Sequence, residues 1–208
     1  MIDFFLDAYS ETSTFVIILE AIAFFFGIAS VYLAKNENIW VYPTGLVATV
    51  ITVYLLYIAG YLGDMAINFY YSVMSIYGWY MWSRKSSSGE VMPITRTSSK
   101  EKLIGFGMFL LTILVIFGVY IGFGNEIKTE NYIDIFTSGI FFTAMWLMAL
   151  KKIENWTLWI IADVISIPLY AYRGLGMLSL QFLIFTILAI QAYFSWRKTL
   201  KSRQLATD

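Results

Sequence analysis

A chain of 208 residues with 59% hydrophobic and only 13% charged side chains, at a mean hydropathy of +0.70, carries more apolar surface than one soluble domain can enclose, so lipid must be its solvent. Its 14 basic and 14 acidic side chains cancel, which argues nothing for nucleic acid. The absence of cysteine and histidine excludes disulfides, thiol or imidazole catalysis and Cys or His metal sites, so no catalytic residue, metal or cofactor is assigned.

The first residues, 1–14, carry Asp3, Asp7 and Glu11 where a signal peptide would have a basic stretch, and read as an extracytoplasmic N-terminus. The first apolar run, Phe15 to Ala34, contains the acid Glu20, which either holds a proton or faces water. Ile39 to Ala59 follows, with Pro43 in its early turns. Met65 to Trp82 is the third run, and in it Asn68, Tyr71 and Ser75 fall at i, i+3 and i+7 on one helical face. A Ser-rich connection with Gly89 and Pro93, from Ser83 to Lys102, reads as a flexible linker. Leu103 to Phe123 is a fourth, unpaired run, and Tyr132 to Leu150 a fifth. The sixth, Trp156 to Tyr172, places Trp156, Trp159 and Asp163 on one face and is expected to kink at Pro168. Met177 to Trp196 closes the series. Runs of about 17 to 21 residues match a hydrocarbon layer of roughly 30 Å at 1.5 Å per residue, and they lack the alternation of barrel strands. The fold class is therefore an all-α membrane protein with seven transmembrane helices.

Two stretches repeat. Lys35, Trp40, Tyr54 and Gly60 recur 116 residues on as Lys151, Trp156, Tyr170 and Gly176, and each copy ends in Trp-x-basic, at Trp82 and Trp196, where the offset has fallen to 114 as a two-residue deletion in one loop would produce. Two parallel three-helix repeats, 15–85 and 131–198, joined by a linker with the fourth helix at 86–130 and followed by a tail at 199–208, account for this pattern, because one extra helix restores the orientation of the second copy. With the N-terminus outside, twelve of the 14 Lys and Arg residues fall on the inner side and only Lys128 and Arg173 outside. That bias puts the C-terminus and the tail in the cytoplasm.

Asn and Tyr donate and accept hydrogen bonds, indoles offer electron-rich faces, and Asp163 supplies negative charge, so the third and sixth runs suit a flat cationic heterocycle bearing hydroxyls. Each residue has a plainer reading. Trp156 can be an interfacial anchor, as Trp40, Trp79, Trp82, Trp146 and Trp196 are expected to be; Asn68 can bond a neighbouring helix; Asp163 can pair with a tyrosine or Arg173. No phosphate-binding loop G-x-x-x-x-G-K-[ST] is present, so any transport would run without ATP hydrolysis by this polypeptide. An intramembrane enzyme would have only Asp163 and tyrosines to work with, and a sensory or structural subunit would share the hydropathy without moving a substrate.

The segments ENWTLWIIADVISIPLYAYRGLGMLSLQF and GDMAINFYYSVMSIYGWYMW, with W-x-x-W at Trp156 and Trp159 and N-x-x-Y at Asn68 and Tyr71, resemble the PnuC-type vitamin transporters over essentially the whole chain. That resemblance implies a SWEET-like pair of three-helix bundles, a homotrimer in the bacterial inner membrane, and a mid-membrane substrate site between the bundles. It implies facilitated diffusion of a vitamin by alternating access, coupled to a cytoplasmic vitamin kinase that traps the product. Nicotinamide riboside and thiamine, both cationic and hydroxylated, fit the residues equally; riboflavin is neutral and larger. Many relatives carry Gln where Asn68 stands; the frequency of nicotinamide riboside carriers in the family makes that vitamin the expected substrate, with thiamine the alternative.

Overall fold

The computed structural model describes residues 12–58, 62–84, 91–122 and 129–205. Seven helices occur among them: α1 Thr14–Lys35, α2 Val41–Ile58, α3 Leu62–Ser83, α4 Ser99–Gly122, α5 Thr129–Ala149, α6 Glu154–Tyr172 and α7 Gly176–Leu205. Five, all but α3 and α6, are long and apolar enough to cross a membrane. The two that fall short carry Asn68, Tyr71, Trp159 and Asp163. The apolar surface is turned outward, with Phe25 on α1 67% exposed and Leu103 on α4 73%, the reverse of a water-soluble bundle and the arrangement lipid demands.

The helices form a ring. α1 packs on α2, α2 on α3, α3 on α5, α5 on α6, α6 on α7 and α7 back on α1, while α4 stands outside the ring against α5. Side-chain contacts give the directions. Tyr70 meets Phe142 and Trp82 meets Met148, so α3 and α5 run the same way. Gln181 lies near Gly27 and Trp196 reaches Ala34, so α7 and α1 do too. α4 runs against α5, with Phe109 beside Gly139 and Phe117 beside Tyr132. Exchanging α1–α3 with α5–α7 leaves this order of neighbours unchanged.

The local bonds repeat at an offset of 114 residues rather than 116. Both α1 and α5 end in a Schellman turn: Glu37 and Asn38 donate to Ala34 and Leu33, as Lys151 and Lys152 donate to Met148 and Leu147. Glu37 and Lys151 hold the left-handed conformation, at φ 54° and φ 50°, where glycine is usual. Trp82 donates to the Met148 carbonyl at 3.3 Å, and Trp196 to the Ala34 carbonyl at 3.1 Å. Tyr42 meets Trp82 edge-to-face at 5.1 Å, as Trp156 meets Trp196 at 5.4 Å. Trp156 thus stands where Tyr42 does, not where Trp40 does. Gly60 lies outside the described residues.

Three further expectations change. Trp82 and Trp196 are 4% and 0% exposed, so they are core posts that bond the opposite half, whereas Trp40 and Trp79 are exposed as interfacial anchors should be. The connection after α3 is not free along 91–98. Thr95 exchanges backbone bonds with Lys151 and Ile153, Ile94 is buried, and Thr97 donates twice to Glu154. Ser98 and Glu101 then form a capping box for α4, and Glu101 pairs with Lys152 at 2.8 Å. The Lys152 ammonium, helped by the Ser98 N–H, pulls the Glu101 carboxyl down to about 2. Last, α7 continues nine residues past Trp196 to Leu205, so most of the expected tail is helix.

Candidate functional site

On α6 the side chains of Trp156, Trp159, Asp163 and Ser166 occupy one face, at spacings of three, four and three residues. Each carries a buried polar atom with no hydrogen-bond partner: Trp156 Nε1, Trp159 Nε1, Asp163 Oδ1 and Ser166 Oγ. An unpaired buried polar atom costs about 1–3 kcal/mol, so four along one face of one helix make that face the candidate site; Asn155 Oδ1 on the same helix and the Tyr42 hydroxyl are also without a partner. Asp163 is 1% exposed. Pro168 sits inside the same helix, and the Ser179 hydroxyl of α7 donates to the carbonyl of Ile167 beside it at 2.9 Å.

The opposite wall comes from the first half. Tyr71 on α3 lies 6.4 Å from Trp159, ring centre to ring centre, and 6.3 Å from Phe142. Phe141 meets the other side of the group at 5.4 Å from Trp159, and Tyr70 stacks on Phe142 at 3.8 Å while donating to its carbonyl. Asn68 lies one turn before Tyr71 and is half-buried; its carbonyl accepts from Ser72. The structure therefore brings Trp159, Tyr71 and Asp163 toward a common interior, with Asn68 on the Tyr71 helix.

Trp156 is different. It is 2% exposed and packed edge-to-face with Trp196 at one end of the ring, and its Nε1 has no hydrogen-bond partner. Ser75, seven residues on from Asn68 in the same helix, is buried with its hydroxyl near Gly45 of the first half. Sequence reasoning missed Ser166, though its spacing of three from Asp163 was there to be read. It also missed the smallness of the first-half wall. By the 114-residue offset Gly45 corresponds to Trp159, so one half carries an indole where the other has a glycine packed beside Ser30 and Ser75. Arg173, a possible partner for Asp163, pairs with Asp134 at 3.5 Å.

Among the described residues no group of three acidic side chains gathers to hold a metal. The arrangement can bind a flat ring against Trp159 and place charge beside Asp163.

A model of the nicotinamide mononucleotide transporter family matches residues 17–198. The nicotinamide riboside transporter PnuC of Escherichia coli (strain K12) is 24% identical, across 89% of this chain and 87% of that one. The riboflavin/roseoflavin transporter RibM of Streptomyces davaonensis is 20% identical, across 82% and 80%. The crystal structure of the vitamin B3 transporter PnuC superimposes with a TM-score of 0.72 at 21% identity, over 95% of this chain and 86% of that one, which shows a shared fold.

Proposed function

The chain belongs to the nicotinamide mononucleotide transporter family, and we propose that it takes up nicotinamide riboside by facilitated diffusion, the two three-helix units rocking about one central site in a SWEET-like arrangement. The observation that carries this reading is the row of unpartnered polar atoms on α6, faced across the ring by Tyr71. The pyridinium ring stacks on Trp159, whose indole attracts a cation, and Asp163 one turn along balances its charge. Tyr71 and Asn68 bond the ribose hydroxyls, and Trp156 closes the floor with its Nε1 toward the ligand. All seven helices span the bacterial inner membrane with the N-terminus outside and the C-terminus in the cytoplasm, as the Lys and Arg distribution requires. Accumulation then depends on a cytoplasmic kinase that phosphorylates the vitamin, and the functional unit is a homotrimer.

Thiamine has the same combination of cationic ring and hydroxyl, and RibM, a riboflavin carrier by name, is similar along most of its length. Purified protein in liposomes decides among them. Nicotinamide riboside entering vesicles without ATP, and competed weakly by riboflavin, is the expected result. Binding without flux would make the protein a sensor, and preference for thiamine or riboflavin would move the substrate while keeping the site.

A further inference from the structure

We propose that Glu37 and Lys151 form the latch of the cytoplasmic gate, a charge pair that joins equivalent positions of the two halves and must part whenever the site opens inward. The inference rests on the alternating-access reading. The Lys151 ammonium lies 3.3 Å from Glu37 Oε2, and its side chain is 5% exposed. The two residues occupy the same place in their Schellman turns, 114 residues apart. When equivalent points of two halves touch, they touch at the axis relating those halves, and the axis is where a central pathway runs. A second equivalent pair, Trp82 and Trp196, lies across the same axis at 6.0 Å. The Lys151 ammonium also stands 4.4 Å over the Trp82 ring, so the ion pair and the indoles make two layers of one plug.

Backbone geometry points the same way. Both residues hold the left-handed conformation at φ 54° and φ 50°, which glycine would adopt without strain. Glycine would end the helices better, but it has no charge to place on the axis. Energetically the pair suits a contact that is made and broken, since the cost of burying two charges offsets much of their attraction. Glu37 and Lys35 sit at the same end as the other bonds between halves, including Lys35 to Gln191 at 2.7 Å. That end holds the α1–α2 and α5–α6 turns, which the charge distribution assigns to the cytoplasm.

The chain has no cysteine, so one introduced thiol is a clean reporter. With Ser166→Cys as that reporter, a membrane-impermeant methanethiosulfonate is applied to inside-out vesicles in the absence of any vitamin. Glu37→Gln and Lys151→Gln are each expected to raise the labelling rate about tenfold. The exchange Glu37→Lys with Lys151→Glu is expected to bring it back toward the parent rate, because Trp196 offers the moved ammonium the ring that Trp82 offered. Unchanged labelling in both single variants, or an exchange no better than either, overturns the latch. Should a neutral variant fail to reach the membrane, Glu37→Asp keeps charge and backbone but shortens the reach. It is expected to raise labelling severalfold, and an unchanged rate again overturns the proposal. Labelling needs no substrate, so liposomes that take up no vitamin while labelling responds as expected would sink the transport reading and leave the latch standing.

Discussion

Asp163→Asn exchanges a carboxylate for an amide of the same shape and removes one charge from the buried face of α6. Trp159 and Asp163 are four residues apart on the helix, which puts their Cβ atoms about 5–6 Å from each other. A cationic ring stacked on Trp159 therefore holds its charge roughly 6 Å from the carboxylate. At an effective dielectric constant near 20 the attraction is about 3 kcal/mol, or roughly 100-fold in Kd. Calorimetric titration of the purified variant should show that loss for nicotinamide riboside, and a similar one for thiamine, while neutral riboflavin binds within about threefold of its affinity for the parent. The melting temperature should change little, since the amide replaces a buried carboxyl whose Oδ1 has no hydrogen-bond partner of its own to lose. Nicotinamide riboside bound equally well by the variant, or riboflavin weakened as much as the cation, would refute the electrostatic reasoning.

Trp159→Ala and Asn68→Ala should each weaken binding by about 1–3 kcal/mol, tenfold and more, with the purified variants still monodisperse; uptake unchanged in both would remove these residues from the site. Gly139→Ala drives a methyl against Phe109, whose backbone carbonyl stands 3.1 Å from the added carbon, and should destabilise the α4–α5 contact by about 1–3 kcal/mol in a thermal melt. Gly78→Ala should do the same through the Tyr42 ring. Burial pushes the Lys151 ammonium below its usual range, against the pull of Glu37, with Arg203 adding to the fall. Loss of that proton, and with it release of the latch, should then begin at lower pH than an ordinary lysine allows; raising the pH should increase reporter labelling more in the parent than in Lys151→Arg, which keeps its charge and carries the same thiol, so that ionisation of the thiol itself cancels in the ratio of the two rates. Global stability has the opposite sign in that window, because the unfolded chain retains a proton the folded one has shed.

Hydropathy alone located the seven helices to within a few residues at most ends, since a run that must cross about 30 Å of hydrocarbon announces its length. The match at 116 residues misaligned part of the pattern, while the 114-residue spacing of Trp82 and Trp196 is the one the bonds follow. Lys35 with Lys151 and Trp40 with Trp156 match as letters, yet by their bonds Glu37 is the counterpart of Lys151, its opposite in charge, and Tyr42 the counterpart of Trp156, alike only in being aromatic. Burial of Trp82 and Trp196 was equally hidden, because an indole at a helix end looks the same whether lipid headgroups or another helix receives it. At the candidate site, helical spacing did place Trp159 and Asp163 on one face. Ser166 escaped notice because a serine in an apolar helix ordinarily bonds its own preceding turn, as Ser72 and Ser83 do. That Tyr71 faces Trp159 from a different helix is a matter of ring order, which no local pattern encodes.

The segment 91–98 clasps the α5–α6 turn, and α4 lies along α5, so both are fastened to the second half. Duplication in sequence has not made mechanical equals. Any displacement of one half relative to the other sets three helices moving against four, with the heavier body carrying the connector. An oligomer that grips α4 would hold the second half still and leave the first to swing.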